Sequence, residues 1–206
     1  MPVTVPADSR PDDAVWPQAQ WPPPHELAGE HVTLTQFVPD DAAALYAALD
    51  HDACWDHVAG RPSDPDSYAA ALSQAPAAGR WPWVVRQGDA VVGTTSYLEL
   101  SLADARVEIG HTIYAPAVWA TQVNPACKLL LMTWAFDHGF GRVQLKTDIR
   151  NRRSQAAIAK LGAAYEGVLR RYQRRADGTV RDTVMFSVTA EEWPEVRERL
   201  IARLAG

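Results

Sequence analysis

Apolar and polar residues alternate along residues 106–114, which is the two-residue period of a β-strand. The alternation predicts one strand face with Val107, Ile109 and Ile113, and another with Arg106, Glu108 and Thr112. A second alternation follows at residues 143–148, where one set of residues alternates with another: Val143, Leu145 and Thr147 with Gln144, Lys146 and Asp148. The pattern therefore predicts two strands with a long segment between them.

The intervening segment has the pattern of a helix. Its apolar residues recur at spacings of three and four, which is typical of a helix with one buried stripe; they are Leu129, Met132 and Phe136. Asn124 is a favourable N-cap, Pro125 suits the first helical position, and Gly139 suits the position just past the helix end. The segment therefore predicts a helix that begins after Asn124.

A strand, a helix and a strand in this order form a right-handed crossover if the two strands are parallel. The helix N-terminus then lies at the end of the first strand. Its free backbone amides and positive partial charge suit a phosphate group. This crossover is therefore the predicted centre of the protein.

The rest of the chain predicts more strands and helices on both sides of the crossover. Before it, the sequence predicts a strand at 31–37, helices at 39–49 and 65–76, and a hairpin with strands at 83–86 and 90–100. After it, the sequence predicts a helix at 152–161, a hairpin with strands at 165–174 and 179–188, and a last helix from about 190.

Composition narrows the class of protein. A chain of 206 residues with 47% apolar residues fits one globular domain. No stretch approaches the roughly 20 apolar residues of a membrane span, and the start lacks a signal-peptide pattern, so a cytoplasmic protein without a membrane partner is expected. The net charge of −5 argues against nucleic-acid binding, and Cys54 and Cys127 give no disulfide framework.

Residues 1–24 differ from the rest, because they hold seven of the 15 prolines and little apolar periodicity. They are predicted to form a Pro-rich leader, followed by a single domain at 25–206. Trp16 and Trp21 are unusual in a free tail. They predict that the later part of the leader packs on the domain or on a partner subunit, and the second arrangement would be a homodimer.

A set of short motifs extends from residue 106 to residue 194. They are Glu108-Ile109-Gly110, Trp119, Asn124 with Lys128, Lys146-Thr147-Asp148, Asn151-Arg152, Ser154, Ala157, Leu161-Gly162, Glu166 to Arg170, Asp177-Gly178, Arg181-Asp182-Thr183 and Glu192-Trp193-Pro194. These motifs and the order of the elements resemble the GNAT N-acetyltransferases, in particular their RimJ/RimL-like branch. The resemblance is only architectural over residues 31–100.

The resemblance implies an α+β fold with a mixed, mostly antiparallel sheet, flanked by helices. In the implied sheet, the two central parallel strands separate from each other beside a bulge in the first of them. It also implies an acetyl-CoA-dependent enzyme in which an amine of a peptide N-terminus or a small molecule attacks the thioester directly, without a metal. The implied cofactor-binding residues are Thr112, Ile113, Trp119, Ala120, Thr121, Gln122, Val123, Asn124, Asn151 and Arg153.

One departure concerns the loop that binds the pyrophosphate in this family. The loop pattern is Arg/Gln-x-x-Gly-x-Gly/Ala, and here Trp119, Gln122 and Asn124 occupy its key positions. Ala120 stands where the branch usually has glycine, so no glycine remains, and Pro125 has no amide to donate. A catalytically degenerate module that binds acyl-CoA or a protein partner is therefore the alternative function.

The family chemistry needs a base for the amine, a backbone amide at the bulge for the oxyanion, and a weak acid for the thiolate. Ser154 stands at the position of that acid, although a serine there also suits a helix cap. Glu108 is the candidate carboxylate for the amine, and the alternative for it is an ion pair with an arginine on the strand face.

The acceptor site is expected around Trp55, Trp81 and His111, although His111 is also compatible with a core histidine. His51, Cys54 and His57 are residue types that bind zinc, but their spacing on a helix does not bring all three together. The segment is therefore interpreted as a wall of the acceptor site, and no metal is expected. The arginines at 150, 152 and 153 suit a CoA phosphate at a helix start.

Overall fold

The computed structural model describes residues 16–175 and 177–206. These residues form the strands β1 (Glu26–Ala28), β2 (Thr33–Gln36), β3 (Arg80–Gln87), β4 (Ala90–Ser101), β5 (Arg106–Tyr114), β6 (Arg142–Asp148), β7 (Ala164–Arg174) and β8 (Val180–Thr189). The helices are α1 (Ala42–Leu49), α2 (Asp52–Trp55), α3 (Pro65–Gln74), α4 (Val123–Asp137), α5 (Arg152–Ala159) and α6 (Trp193–Ala205). Among the described residues, no helix combines the length and the apolar character needed to span a lipid bilayer.

All the described strands join one sheet in the order β1-β2-β3-β4-β5-β6-β8-β7. Neighbouring strands are antiparallel except β5 and β6, which are parallel. Helix α4 connects these two strands, so the predicted crossover is confirmed. The predicted fold class, a mixed and mostly antiparallel sheet flanked by helices, is confirmed as well.

Two apolar clusters lie on opposite faces of the sheet. The larger one joins the sheet to α4 and α6, with Val107, Ile109, Leu131, Val143 and Val196 among its buried members. We call this side the α4 face. The smaller cluster joins the sheet to α1 and α3 through Leu45, Leu72, Val84 and Ile113, and we call this side the α1 face. Because side chains alternate along a strand, Glu108, Gln144 and Lys146 lie on the α1 face.

The predicted faces of β5 are wrong beyond Gly110. Ile113 packs in the cluster of the α1 face, opposite to Val107 and Ile109, and Thr112 points to α4. The cause is a bulge: His111 has a φ of 45°, and the pairing with β4 shifts between Ser96↔Gly110 and Thr94↔Ile113. One extra residue exchanges the faces of all the residues that follow it.

Helix α4 begins at Val123, with Gln122 as its N-cap, so Asn124 and Pro125 are in its first turn rather than at the predicted cap and first position. Gly139 follows the helix with a φ of 83°, as predicted. Of the predicted stripe, only Met132 is fully buried; Leu129 and Phe136 are partly buried. The buried side also contains Cys127, Leu131 and Ala135.

The described part of the leader, residues 16–24, lies against the C-terminal end of α4 and the start of β3. The indole Nε1 of Trp16 donates to the carbonyl oxygen of Gly139 at 2.9 Å, and Ala19 is buried in the larger cluster. The Trp21 ring meets Trp81 with centroids 4.8 Å apart and Trp134 at 5.7 Å. These contacts attach the segment to its own domain. The first part of the predicted leader, residues 1–15, lies outside the described residues.

Candidate active site

The parallel strands β5 and β6 separate soon after they meet. Their pairs are Arg106↔Arg142, Val107↔Val143 and Glu108↔Gln144, and the pairing ends there. From Ile109 onwards, β5 is paired only with β4 among the described strands. The backbone edge of β5 along the bulge therefore faces an opening between the two strands.

The loop before α4 contains amides without a protein acceptor. Among the described residues, the amides of Ala120, Gln122 and Asn124 donate to no protein acceptor, whereas the amide of Val123 reaches the Thr121 hydroxyl at 3.3 Å. Three unused donors at a helix start form a site for an anion. Ala120 has a φ of 62°, so the loop keeps the left-handed backbone that glycine adopts most easily.

The two large side chains of the loop are held away from these amides. The amide group of Gln122 donates to the carbonyl oxygen of Leu204 in α6 at 3.2 Å. The indole of Trp119 donates to the carbonyl oxygen of Tyr114 at 2.8 Å, and the guanidinium of Arg153 lies 3.8 Å from the centre of its ring. This cation–π contact brings the start of α5 next to the loop.

The start of α5 contains the predicted acid. The Asn151 side chain accepts a hydrogen bond from the amide of Ser154 at 3.0 Å, which caps the helix. Ser154 is half-buried, and its hydroxyl makes no hydrogen bond to another described residue. Asn151 therefore has the structural role that the sequence allowed, and the hydroxyl of Ser154 is free for another partner.

Glu108 lies at the point where the two strands separate, and it is buried. Lys146 Nζ lies 2.7 Å from Glu108 Oε2 and 2.6 Å from Glu99 Oε1. Burial raises the pKa of Glu108, while Lys146 opposes this rise. Oε2 accepts no well-aligned hydrogen bond from a described residue, so the ion pair with Lys146 leaves acceptor capacity on it.

Gly110 makes room for this carboxylate. A Cβ at this position would lie 2.7 Å from Oε1 of Glu108 and 3.0 Å from a methyl group of Leu98. The contact at 2.7 Å is shorter than a Cβ atom tolerates, so any other residue at position 110 would displace the Glu108 carboxylate from this position. The motif Glu108-Ile109-Gly110 thus has a steric reason at its third position.

His111 lies in the bulge, open to solvent on one side and surrounded by protein on the others. Its Nδ1 lies 3.4 Å from Nη1 of Arg80. Burial, followed by the charges of Arg80, Arg181 and Lys146, lowers the pKa of His111 to about 4. His111 is therefore neutral at pH 7.

The other predicted site residues are dispersed. Trp81 pairs with Tyr97, which pairs with Ile109, so it lies on the α4 face, away from Glu108. Trp55 donates its indole N–H to the carbonyl oxygen of Leu49 and meets the Tyr68 ring edge-on. The structure thus does not bring the two tryptophans to Glu108, and His111 lies three residues after Glu108 on the same strand.

The side chains of two predicted cofactor residues point away from the opening. The Thr112 hydroxyl accepts a hydrogen bond from Lys128 Nζ at 2.8 Å behind the bulge, and Ile113 is buried in the smaller cluster. Only their backbone groups remain at the edge of β5. The assignment of Thr112 and Ile113 as cofactor-binding residues therefore stays a prediction that concerns their backbone.

Sequence reasoning missed Arg80 altogether, because it began the strand at Trp83. The structure begins β3 at Arg80, opposite Leu98, which is itself opposite Glu108. The local pattern that could have indicated Arg80 is an arginine directly before the aromatic-rich part of this strand. Its distant partners cannot be derived from one sequence.

The described residues contain no group of three or more His, Cys, Asp or Glu side chains placed to hold a metal ion. Within the predicted H-x-x-C-x-x-H motif, Cys54 is buried and its thiol lies 3.5 Å from the carbonyl oxygen of Tyr114. The expected lack of a metal stays a prediction, as do the homodimer and the lack of nucleic-acid and membrane partners.

Several known proteins are similar to this chain. The uncharacterized N-acetyltransferase YoaA from Bacillus subtilis (strain 168) is 26% identical over 170 residues, which are 79% of this chain and 95% of YoaA. A proposed acetyltransferase from T. thermophilus is 35% identical with a TM-score of 0.82, over 90% of this chain and all of that structure. A probable GNAT-family acetyltransferase from Chromobacterium violaceum ATCC 12472 is 30% identical with a TM-score of 0.86, over 93% of this chain and all of that structure.

A more distant structure is Mycobacterium smegmatis RimJ in complex with CoA-disulfide. It is 24% identical with a TM-score of 0.69, over 84% of this chain and 88% of that protein. At this identity the similarity shows a common fold and nothing further about the branch.

The GNAT acetyltransferase domain model matches residues 31–164, which include both central strands, the loop, α4 and α5. The described geometry has the features that the sequence resemblance implied, namely a splayed parallel pair, a bulge and a helix start with unused amides. The match covers more than half of the 206 residues. This chain therefore belongs to the GNAT acetyltransferase family.

Proposed function

We propose that this protein is an acetyl-CoA-dependent N-acetyltransferase of the RimJ/RimL-like branch. It transfers an acetyl group to the amine of a peptide N-terminus or a small molecule, without an acyl-enzyme. The observation that carries this proposal is the opening between β5 and β6, which starts at Glu108↔Gln144 and leads to the unused amides before α4.

The residues around this opening fit acetyl-CoA. The amides of Ala120, Gln122 and Asn124 can donate to a pyrophosphate at the positive end of α4. The free edge of β5 from Ile109 can pair with the amides of an extended pantetheine arm, as with an added strand. Arg153 supplies a cation at the same end of the opening. When bound, acetyl-CoA supplies the thioester that serves as acyl donor.

The chemical roles follow from the positions of the polar groups. Glu108 accepts the proton of the acceptor ammonium, since an ammonium has no lone pair with which to attack. The left-handed backbone at His111 turns a bulge amide towards the oxygen that gains negative charge. Ser154, whose hydroxyl has no other described partner, donates a proton to the leaving sulfur.

The test uses the full chain with acetyl-CoA and a panel of amines. We expect calorimetry to detect acetyl-CoA binding, and we expect CoA thiol release that depends on an added amine. Binding without thiol release across the whole panel would favour the degenerate module instead. No binding heat and no change in melting temperature would reject the CoA site.

Ser154→Ala is expected to lower kcat by about tenfold, which is less than general acid catalysis usually contributes, because a thiolate leaves more easily than an amine or alkoxide. The affinity for acetyl-CoA should stay the same, since the Ser154 amide still donates to Asn151. Steady-state kinetics and calorimetry measure the two effects. Ser73→Ala, at an exposed serine of α3, is the control. An unchanged kcat would remove the assigned role.

A further inference from the structure

Two arginines on the α1 face have no acidic partner. Among the described residues, neither Arg80 nor Arg181 has a carboxylate within 4.0 Å, and both are partly buried. The buried Nε of Arg80 has no acceptor at all. Because a buried guanidinium without an anion is costly, natural proteins usually pair it.

Arg80 lies on the same face of the sheet as the proposed base. Arg80, Leu98, Glu108 and Gln144 form one row across β3, β4, β5 and β6, so the Arg80 side chain is on the same face as Glu108. Two strand spacings, roughly 10 Å, separate their Cα atoms. The guanidinium of Arg80 spans much of this distance, since Nη1 reaches His111 in β5.

Arg181 lies on the other side of the opening. It is two residues before Thr183, which pairs with Asp148 of β6, and its Nε donates to the Thr183 hydroxyl at 2.8 Å. Strand alternation therefore puts it on the α1 face with Lys146. Burial lowers the pKa of Arg181, and the charges of Asp148 and Glu108 oppose this change.

The nearby carboxylates are already engaged. Asp148 binds Arg175 through two oxygens at 2.5 and 3.0 Å, and Lys146 lies between Glu99 and Glu108. In this group the four cations Arg80, Lys146, Arg175 and Arg181 exceed the three carboxylates by one charge, and the two arginines without a described carboxylate within 4.0 Å are Arg80 and Arg181. A bound anion would balance this charge, and arginine binds a planar carboxylate through two parallel hydrogen bonds.

We propose that the acceptor is a small amino acid-like molecule with a free carboxylate, which Arg80 and Arg181 bind while its ammonium meets Glu108. This inference rests on the proposed acetyltransferase function and specifies its substrate. A peptide N-terminus would present an uncharged carbonyl at the same place. The described side-chain hydrogen bonds of the two arginines go to His111 and Thr183, whereas Arg153 stacks on Trp119 in the loop before α4, so Arg80 and Arg181 are assigned to the acceptor and not to a CoA phosphate.

The first experiment compares matched acceptors on the wild-type full chain at saturating acetyl-CoA. Each amino acid of a panel is measured beside its carboxamide, and thiol release is followed. We expect kcat/KM to be at least tenfold higher for the acid than for the carboxamide with the preferred side chain, since charge-assisted hydrogen bonds are about twice as strong as neutral ones. Equal or better use of carboxamides would overturn the inference while leaving the transferase function intact.

The second experiment tests whether Arg80 and Arg181 bind the carboxylate of the acceptor. Arg80→Met and Arg181→Met should each raise KM for the acid about tenfold, change KM for the carboxamide less than twofold, and leave KM for acetyl-CoA unchanged. Arg197→Met, at an exposed arginine of α6, should change none of these values. A parallel rise for acid and carboxamide, or a rise of KM for acetyl-CoA, would contradict the assignment. Failure of every amine to release thiol would instead reject the proposed function.

Discussion

Glu108→Gln is expected to lower kcat/KM about 100-fold at pH 7, because the variant lacks the base that takes the proton from the acceptor ammonium. The substitution preserves size, and Lys146 keeps its ion pair with Glu99 at 2.6 Å, so the fold and the affinity for acetyl-CoA should be retained. Steady-state kinetics measure the loss, and calorimetry measures the affinity.

The pH dependence separates this role from a structural one. As the pH approaches the pKa of the acceptor amine, which is about 8 for a peptide N-terminus and higher for an amino acid with a free carboxylate, part of the acceptor is already neutral and needs no base. The deficit of Glu108→Gln should therefore narrow as the pH rises towards the pKa of the acceptor. Glu99→Gln is the matched control, since Glu99 contacts the same lysine but lies on β4, and we expect less than a threefold effect. A deficit that is constant with pH would assign Glu108 to the ion pair alone.

The sequence was sufficient for the elements with strong local patterns. The bounds of β5 agree with the alternation at 106–114, and α4 with the three- and four-residue spacing, apart from the start of the helix. Local patterns could not reveal the bulge, because an extra residue in a strand depends on the register with β4. The positions of Thr112 and Ile113 were therefore predicted on the wrong faces.

The residues of the candidate site also differ in whether a local sequence pattern could reveal them. Asn151 and Ser154 were recognised from a cap followed by a helix, which is a local signal. The ion-pair partner of Glu108 is Lys146, which also contacts Glu99, and these residues are widely separated along the chain. Arg80 comes onto the same face only through a row of three strands. The sequence also made the missing glycine at position 120 look more serious than it is, since Ala120 adopts the left-handed backbone in the structure. Such a residue stores strain of order 1–3 kcal/mol, which other contacts must offset.

Lys128 is expected to lower the stability of the fold at neutral pH. It is 3% exposed in α4, and its Nζ contacts the hydroxyls of Thr112 at 2.8 Å and Thr95 at 3.3 Å, without a described carboxylate partner. Burial lowers its pKa from 10.5 to about 8. Such a shift costs the folded state about 3 kcal/mol wherever both states are protonated. Lys128→Met should therefore raise the free energy of unfolding by about 2 kcal/mol at pH 7, after allowing for two lost hydrogen bonds.

The sign of the pH dependence tests the cause. Below pH 8 the lysine is protonated in both states, and its full cost is present. Between pH 8 and 10.5 the unfolded state binds more protons than the folded state, so the stability of the wild type rises relative to that of Lys128→Met. The advantage of the variant should thus shrink from pH 7 to pH 10 in denaturant unfolding. Lys160→Met, at an exposed lysine, should stay within about 0.5 kcal/mol of the wild type throughout. A gain that is the same at both pH values would point to improved packing, since the charge would then carry no penalty.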